Sequence, residues 1–360
     1  MYCTIGDPRR EQHLKSAIRK ILIIAAALLI LASVIAGLVM YFRTSTYSAV
    51  TFHMDTFISY SIHGRHPEKL AEALENKAGE MEALFDRFSK DSDISRINSN
   101  SGTMTEVSEE TYKLIIESVR LAEETDGAFD PTVGILTELW GFGKDPHVPS
   151  EEELEEALRL VGYDRIMTEA KNSKYYVGIG EGQMLDLGAI AKGYCLASFK
   201  RIISESRTDH AIVSFGGNVL IWDNRGEEVF VGVRSPEEDV LSSAFVLALR
   251  GGVISTSGSY ERFFYENGIK YSHILDPFDG NCVSGELLSI SVISDDPVAA
   301  DCLSTAYFVK GLDETLDALA SGKISGAAID KNNVIYISAD LMEKISEDQV
   351  ADSYTVEVVG

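Results

Sequence analysis

A short predicted strand passes through a glycine-containing turn into a helix at Met184-Leu-Asp-Leu-Gly-Ala-Ile-Ala-Lys-Gly193. The start of such a helix offers free N–H groups and the positive end of its dipole to an anion. Lys192 lies in the first turns and Asp186 stands just before them, but the stretch lacks the GxxxxGK[ST] pattern of a P-loop. On its own, the stretch fits a phosphate contact or a structural turn equally well.

Predicted helices dominate the chain before this stretch, and predicted strands dominate it afterwards. Val50–Ile62 alternates as a strand does, and Ser150-Glu-Glu-Glu153 is a capping box that begins a helix. Asp296-Pro297 begins another helix that runs to Val309, and a hairpin is predicted for 327–338. Without internal repeats or low-complexity linkers, this order of elements favours one α+β body with packed helices.

The N-terminal region contains a candidate membrane span. Ile21–Phe42 has 22 residues without a charge, enough to cross a bilayer as a helix. Five basic residues precede it and only Arg43 directly follows it, so the positive-inside rule places the N-terminus in the cytoplasm and residues 44–360 outside. A cleaved signal peptide is the alternative, although the apolar run exceeds the usual length of about 7–15 residues.

The charge of the chain excludes some classes of function. The 360 residues carry a net charge of −24. Six basic and two acidic side chains lie in residues 1–43, so residues 44–360 carry −28. Such a domain is too acidic to bind nucleic acid by neutralising phosphates, and an anionic ligand would need a local cationic site. Three cysteines in the outward part, with no CxxC pair, argue against a disulfide scaffold and structural zinc.

The predicted helix Val298–Val309 is apolar except for one narrow polar stripe. Asp301, Ser304 and Thr305 are spaced at i, i+3 and i+4 and therefore share one face. A carboxylate and hydroxyls suit a hard cation such as Mg²⁺. The alternative is a buried Asp301 that is satisfied by backbone groups or a lysine, because two oxygens do not make a metal site.

A histidine and its neighbours are candidates for acid–base catalysis. His273 lies three residues before Asp276, which could orient it, and Ser255-Thr-Ser-Gly258 lies upstream. A Ser/His/Asp hydrolase is the obvious rival, but the chain has no GxSxG elbow. The aromatic residues in Trp140-Gly-Phe-Gly143 could sandwich a planar ring, although such residues more often pack a core.

The order of these motifs along the chain is more specific than any one of them. Residues 50–340 resemble the ApbE family, the FAD:protein FMN transferases, in eight motifs that stand in the family's order. They are Met54-Asp-Thr56, Phe88-Ser-Lys-Asp-Ser-Asp-Ile-Ser-Arg-Ile-Asn98, Gly127-Ala-Phe-Asp-Pro-Thr132, Trp140-Gly-Phe-Gly143, Asp186-Leu-Gly-Ala-Ile-Ala-Lys-Gly193, Ser257-Gly258, Ser272-His-Ile-Leu-Asp-Pro277 and Ala300-Asp-Cys-Leu-Ser-Thr305.

The resemblance implies a mixed or antiparallel sheet core and a Mg²⁺-dependent enzyme. Such an enzyme takes FAD as its substrate, splits the pyrophosphate, attaches FMN to a Thr or Ser of an acceptor protein and releases AMP. By similarity, the metal ligands are Asp301, Thr305 and the backbone carbonyl of Ala189, and His273 activates the acceptor hydroxyl. The implied FAD contacts are Met54, Phe88, Ala128, Phe129, Asp130, Asp186, Lys192 and Leu275.

Two positions depart from the family pattern. Asp55 stands where the family often has Gly, and Phe88 stands where Tyr is common. Loss of that hydroxyl could change FAD affinity or the balance between transfer and hydrolysis. An FAD pyrophosphatase that gives FMN and AMP, or a non-catalytic FAD-binding protein, are therefore the alternatives to a transferase.

The resemblance and the charge pattern together give a domain plan. It comprises a cytoplasmic tail (1–20), a membrane anchor (21–42), a linker (43–49), the FAD-binding transferase domain (50–345) and a C-terminal tail (346–360). The family's target motif, Asp-x-x-Ser/Thr-Gly/Ala-Ala-Ser/Thr, has no full match here, and Ser325-Gly-Ala-Ala328 is the nearest. We therefore expect the acceptor to be another exported protein, for instance a membrane electron-transfer subunit.

Overall fold

The computed structural model describes residues 8–236 and 242–360, and it shows an α+β fold. The helices are α1 (Pro8–Phe42), α2 (Pro67–Phe85), α3 (Asp93–Ser99), α4 (Glu109–Glu124), α5 (Gly134–Leu139), α6 (Glu151–Leu158), α7 (Ala191–Glu205), α8 (Pro297–Lys310) and α9 (Leu312–Ala320). The strands are β1 (Ser45–His53), β2 (Thr56–Gly64), β3 (Met104–Val107), β4 (Met167–Lys171), β5 (Lys174–Gly178), β6 (Thr208–Phe215), β7 (Asn218–Asp223), β8 (Val229–Arg234), β9 (Ser243–Leu249), β10 (Gly252–Gly258), β11 (Phe263–Glu266), β12 (Ile269–Ser272), β13 (Leu287–Ser294), β14 (Ser325–Asp330), β15 (Val334–Ser338), β16 (Ile345–Val350) and β17 (Thr355–Val359).

The main sheet has nine strands in the order β1-β2-β6-β7-β10-β13-β14-β15-β17. Neighbouring strands are antiparallel except β15 and β17, which are parallel. Helices α2, α7 and α8 contribute to a large core with the first strands of this sheet, and the smaller sheet β16-β9-β8 contributes to a second core with β7, β10, β14 and β15. The expected α+β class with a mixed, mainly antiparallel sheet is confirmed.

The helix starts follow their sequence signals. Ser150 and Glu153 form both hydrogen bonds of the predicted capping box at the start of α6. The Asp296 carboxylate accepts hydrogen bonds from the backbone N–H groups of Val298 and Ala299, and Pro297 is the first residue of α8. The Asp296 cap and Pro297 fix where α8 begins, and thereby the position of its polar stripe.

The prediction of one strand over Val50–Ile62 is wrong, because the chain reverses inside it. β1 and β2 form an antiparallel hairpin whose two-residue turn is Met54-Asp55. Both turn residues have positive φ, 50° and 58°. A tight turn of this hand normally carries Asn or Gly, so the sequence lacked the usual hairpin signal.

Two predicted boundaries also differ from the structure. Residues 43–49 were expected to be a linker, but β1 begins at Ser45 and pairs with β2 from there. Residues 346–360 were expected to be a tail, but β17 pairs with β15 in the main sheet. Backbone hydrogen bonding and partial burial therefore extend the folded domain beyond 50–345 at both ends.

The N-terminal helix α1 contains one stretch, Lys15–Ile35, that is long and apolar enough to cross a membrane. Its large side chains are exposed, for example Leu22, Leu29 and Ile30, each at 64% or more. A signal sequence near the N-terminus can pass the same test of length and composition, so the membrane anchor and the cleaved signal peptide both stay predictions.

Candidate active site

One large cavity of about 1310 Å³ lies at the ends of several of these elements. Its walls include the β1–β2 turn, the start of α7, the inner face of α8 and the segment after β12. The twelve residues singled out from the sequence all line it, namely Met54, Phe88, Ala128, Phe129, Asp130, Asp186, Ala189, Lys192, His273, Leu275, Asp301 and Thr305. Residues separated by up to 251 positions in the sequence therefore face one space.

The polar stripe of α8 reaches this cavity at its buried end. Asp301 is 3% exposed, and its Oδ1 accepts a hydrogen bond of 2.8 Å from Asn218 Nδ2. Ser257 Oγ lies 3.1 Å from Thr305 Oγ1 and 2.9 Å from Ser304 Oγ. The stripe is thus surrounded by polar groups from β7 and β10.

The start of α7 packs closely against Asp301. The backbone N–H of Gly193 donates a 2.8 Å hydrogen bond to Asp301 Oδ2 instead of bonding back to the carbonyl of Ala189. Within residues 8–236 and 242–360, no hydrogen bond reaches that Ala189 oxygen. A Cβ at Gly193 would lie 2.6 Å from Asp301 Cβ and would clash with the carbonyl of Pro297, so only glycine permits this approach.

These groups fit a magnesium ion. The Asp301 carboxylate, the Thr305 hydroxyl and the Ala189 carbonyl are hard oxygen donors, and a Mg²⁺ site commonly completes its octahedron with water and ligand phosphates. The Ala189 carbonyl oxygen accepts no hydrogen bond from the described residues, so its lone pairs are available to a cation. In the described part of the chain, no three His, Cys, Asp or Glu residues cluster as candidate metal ligands.

Lys192 supplies positive charge beside this oxygen cluster. Its Nζ lies 3.7 Å from Asp301 Oδ1 and donates a 2.9 Å hydrogen bond to the carbonyl of Gly188. Its side chain is 23% exposed, so the ammonium group remains accessible from the cavity. A lysine held at a helix start beside a cavity is suited to contact a phosphate.

Asp186 belongs to a charged cluster on another part of the wall. Its Oδ1 accepts the N–H of Gly188 at 2.9 Å, and its Oδ2 lies 3.3 Å from Arg87 Nε. The Arg87 guanidinium stacks 4.3 Å from the ring of Phe88, which is 55% exposed. Sequence reasoning missed Arg87, although it adjoins Phe88. An exposed aromatic ring beside fixed cations is available to stack on a planar ligand.

The Ala128-Phe129-Asp130 segment is buried where it meets the cavity. The Asp130 carboxylate accepts hydrogen bonds from Thr132 N–H at 2.7 Å, Thr132 Oγ1 at 2.6 Å and the N–H of Tyr163 at 2.9 Å. Burial raises the pKa of Asp130 despite these bonds. Its carboxylate is therefore committed to holding the backbone, and the segment shapes the wall rather than offering a free charge.

Met54 and Leu275 complete the apolar part of the wall. The Met54 N–H donates a 2.8 Å hydrogen bond to Glu82 Oε1, which ties the turn to α2. Leu275 is 7% exposed and forms a β-bridge with Cys282. Trp140 is 1% exposed and packs in a core cluster, so it is not available to sandwich a planar ring, whereas Phe142 lines the cavity.

His273 is oriented by a group that the sequence did not indicate. Its backbone N–H donates to the carbonyl of Arg262 at 2.9 Å, and its ring Nδ1 lies 3.2 Å from the same oxygen. The Asp276 carboxylate, which was expected to orient it, instead accepts the N–H of Phe278 at 2.8 Å. Desolvation of the imidazole and the positive charges of Arg262 and Lys192 lower the pKa of His273 to about 4.

The serines near His273 do not form a hydrolase triad. Ser255 Oγ donates a 2.5 Å hydrogen bond to Asn218 Oδ1 and is fully buried. Ser257 Oγ contacts Ser304 and Thr305. Both hydroxyls thus support the polar stripe of α8, and the arrangement favours the cation site over an acyl-transfer site.

Comparisons with known proteins identify the family to which this chain belongs. The chain is 29% identical over 293 residues to the FAD:protein FMN transferase of Haemophilus influenzae, covering 78% of this chain and 84% of the relative. It is 30% identical over 268 residues to the FAD:protein FMN transferase of Escherichia coli, covering 72% and 76%. The crystal structure of the ApbE protein from Thermotoga maritima superposes with a TM-score of 0.76 at 34% identity, covering 84% of this chain and all of the other. The model of the ApbE family matches residues 54–328, and the chain belongs to the ApbE family.

Proposed function

We propose that this flavin transferase cleaves FAD at its pyrophosphate, joins FMN to a Thr or Ser hydroxyl of an exported acceptor protein and releases AMP, in a reaction that depends on Mg²⁺. Flavin transfer follows from membership of the family. The observation that supports Mg²⁺-dependent cleavage of FAD is that an oxygen cluster, a lysine and a histidine line one cavity of about 1310 Å³. That volume suits a ligand as large as a dinucleotide.

The cation would be held by Asp301, Thr305 and the carbonyl of Ala189. When bound, Mg²⁺ neutralises pyrophosphate charge and polarises the phosphoryl group. Lys192 and the N-terminal end of α7 add positive potential on the same side. Phosphoryl transfer needs mainly such positioning and charge neutralisation, which here arise locally within a domain of net charge −28.

FAD would extend from the oxygen cluster and Lys192 along the apolar wall of the cavity. Phe88 offers a ring for stacking, and Met54, Leu275 and the Ala128-Phe129 segment offer apolar surface. Arg87 fixes the Phe88 ring by stacking and pairs with Asp186. In this arrangement the phosphates would lie at the oxygen cluster, and the planar rings would lie beside Phe88.

His273 would remove the proton from the acceptor hydroxyl. The hydroxyl oxygen attacks the FMN phosphorus, a new P–O bond forms, the P–O bond to the AMP moiety breaks, and AMP leaves with the bonding electron pair. The lowered pKa of His273 keeps its imidazole neutral at pH 7, so it is available to accept the proton. Arg262 holds the ring through its carbonyl.

We propose that α1 anchors the protein in the cell membrane with the catalytic domain on the extracytoplasmic side. The apolar stretch Lys15–Ile35 and the basic residues before Ile21 support this orientation. The acceptor would then be an exported protein, such as a membrane electron-transfer subunit. Because the chain lacks the full target motif, the acceptor is a second protein.

The test uses the full chain in detergent micelles with FAD, Mg²⁺ and an acceptor that carries the target-type Thr motif. We expect flavin fluorescence to remain with the denatured acceptor band, and to be lost in an acceptor whose target Thr is replaced by Ala. AMP with free FMN and an unlabelled acceptor would instead support the pyrophosphatase. Absence of AMP would support a binding protein.

A further inference from the structure

An ion pair joins two separate walls of the cavity. Arg262 Nη1 lies 2.8 Å from Asp55 Oδ2, and its Nη2 donates a 2.9 Å hydrogen bond to the backbone carbonyl of Asp55. The two residues are 207 positions apart, and both line the cavity. The Arg262 guanidinium therefore contacts both the side chain and the backbone of the β1–β2 turn. Two such contacts fix the relative position of the two groups better than a single surface ion pair does.

The backbone of the same arginine holds His273. The carbonyl oxygen of Arg262 faces the backbone N–H of His273 at 2.9 Å and the ring Nδ1 at 3.2 Å. A carbonyl can only accept hydrogen bonds, so Nδ1 must carry the proton for this contact to be favourable. The remaining nitrogen, Nε2, is then the unprotonated acceptor.

Asp55 occupies a backbone conformation that favours glycine. Its φ is +58°, in the left-handed region that glycine adopts most readily. An aspartate with this φ has some backbone strain that glycine would not have, although Asp tolerates the region better than most residues. Its contact with Arg262 gives that carboxylate a role which glycine cannot fill.

We propose that Asp55 and Arg262 form a positioning pair that fixes His273 in the Nδ1–H tautomer with Nε2 ready to accept a proton. The consequence for catalysis rests on the proposed transfer reaction. The charged groups that act on the imidazole are Arg262, Lys192 and Asp186. Asp55 acts on it through Arg262, and neither member of the pair needs to touch the reacting atoms.

The test records the imidazole directly, by NMR of the full chain in detergent micelles with ¹⁵N-labelled histidine. The His273 signals are assigned by their loss in His273→Asn. In the unaltered chain we expect one tautomer, Nδ1–H, between pH 6 and 8. In Asp55→Gly and Arg262→Gln we expect both tautomers, and in Arg262→Gln a higher titration midpoint because a nearby positive charge is removed.

Arg250→Gln is the matched control. It breaks an exposed Arg–carboxylate pair, with Glu228 at 3.1 Å, that does not line the cavity. It should leave the His273 signals unchanged. An unchanged tautomer and midpoint in both folded cavity variants would overturn the proposal. Asp55→Asn is a milder variant that replaces Asp55→Gly if the glycine variant fails to fold. If Asp55→Asn and Arg262→Gln both keep the single Nδ1–H tautomer, the proposal is also overturned.

Kinetics supply a second readout. In Arg262→Gln the acidic limb of the transfer rate should move to higher pH, and the rate at pH 7 should fall on the order of tenfold. A purely structural defect would lower the rate equally at all pH values. The NMR result does not require turnover, so it separates failure of this proposal from failure of the proposed reaction.

Discussion

The backbone N–H of Gly193 at the start of α7 donates a 2.8 Å hydrogen bond to the Asp301 carboxylate on α8. The Gly193 N–H therefore does not bond to the Ala189 carbonyl, four residues earlier, and both Asp301 and Ala189 line the cavity. An Asp301 carboxylate oxygen on α8 and the Ala189 carbonyl oxygen before α7 are therefore both available to a ligand in the cavity. Lys192, next in the chain to Gly193, comes within 3.7 Å of the same carboxylate.

Asp301→Asn tests the cation site. Asn retains an oxygen that can accept the Gly193 N–H, but it loses the negative charge that a Mg²⁺ site requires. We expect AMP release to fall on the order of a hundredfold or more and to lose its dependence on Mg²⁺. The measurement is AMP release across a Mg²⁺ titration. Asp330→Asn, which alters a buried carboxylate off the cavity, is the control, and wild-type activity in Asp301→Asn would rule out the metal assignment.

Gly193→Ala tests the close contact between α7 and α8. The added Cβ would lie 2.6 Å from Asp301 Cβ, so we expect a loss of about 1–3 kcal/mol in the free energy of unfolding. Gly79→Ala is the matched change within α2, where the added Cβ would meet only His53 at 3.6 Å. There the helix propensity of alanine should raise stability by up to about 1 kcal/mol. Denaturant unfolding measures both, and equal effects would contradict the contact.

Lys192→Ala tests the phosphate contact. Removing a charged donor from the cavity should weaken FAD binding roughly tenfold to a hundredfold. Calorimetric titration with FAD measures the affinity directly. Lys331→Ala removes a lysine that pairs with Glu286 at 2.6 Å outside the cavity, and it should bind FAD normally. Equal affinity in both variants would remove Lys192 from the phosphate site.

The pH dependence of transfer follows from the lowered pKa of His273. With a folded-state pKa of about 4, the imidazole stays neutral from pH 8 down to about pH 5, so the transfer rate should not fall through the usual histidine range near 6.5. The rate should fall only as the pH approaches 4. A rate profile measured with acceptor in excess checks this, and a midpoint near 6.5 would contradict the burial argument.

The same group affects stability, with a defined sign. In the unfolded chain His273 titrates near 6.5, so between pH 6.5 and 4 the unfolded state binds more protons than the folded state. The unfolding free energy should therefore decline as pH falls through this window. His273→Asn should make that decline shallower, as measured by denaturant unfolding at several pH values. An identical slope in the variant would show that His273 is not desolvated.

Local patterns predicted a substantial part of this molecule. The polar stripe of α8 was visible because its periodicity leaves Asp301 and Thr305 on one face of an otherwise apolar helix, and the order of motifs pointed to Ala189 and His273. Arg262 was missed because one of its contacts joins it to Asp55, 207 positions away, and the other joins it to His273 at the open end of the β11–β12 hairpin. Such pairings depend on the register of distant strands, which local composition does not encode.

The hairpin turn at Met54-Asp55 was missed for a related reason. Its residues adopt positive φ without the Asn or Gly that usually marks a two-residue turn. Contacts from Glu82 and Arg262 hold this turn from outside the hairpin. Tertiary contacts thus override a local preference at the wall of the site.

The most direct test of the central claim is the intact mass of the acceptor after incubation with the full chain, FAD and Mg²⁺, taken together with the AMP released. We predict that the acceptor gains the mass of FMN less one water and that one AMP appears for each modified acceptor. An unmodified acceptor accompanied by AMP and free FMN would contradict transfer to protein by this cavity.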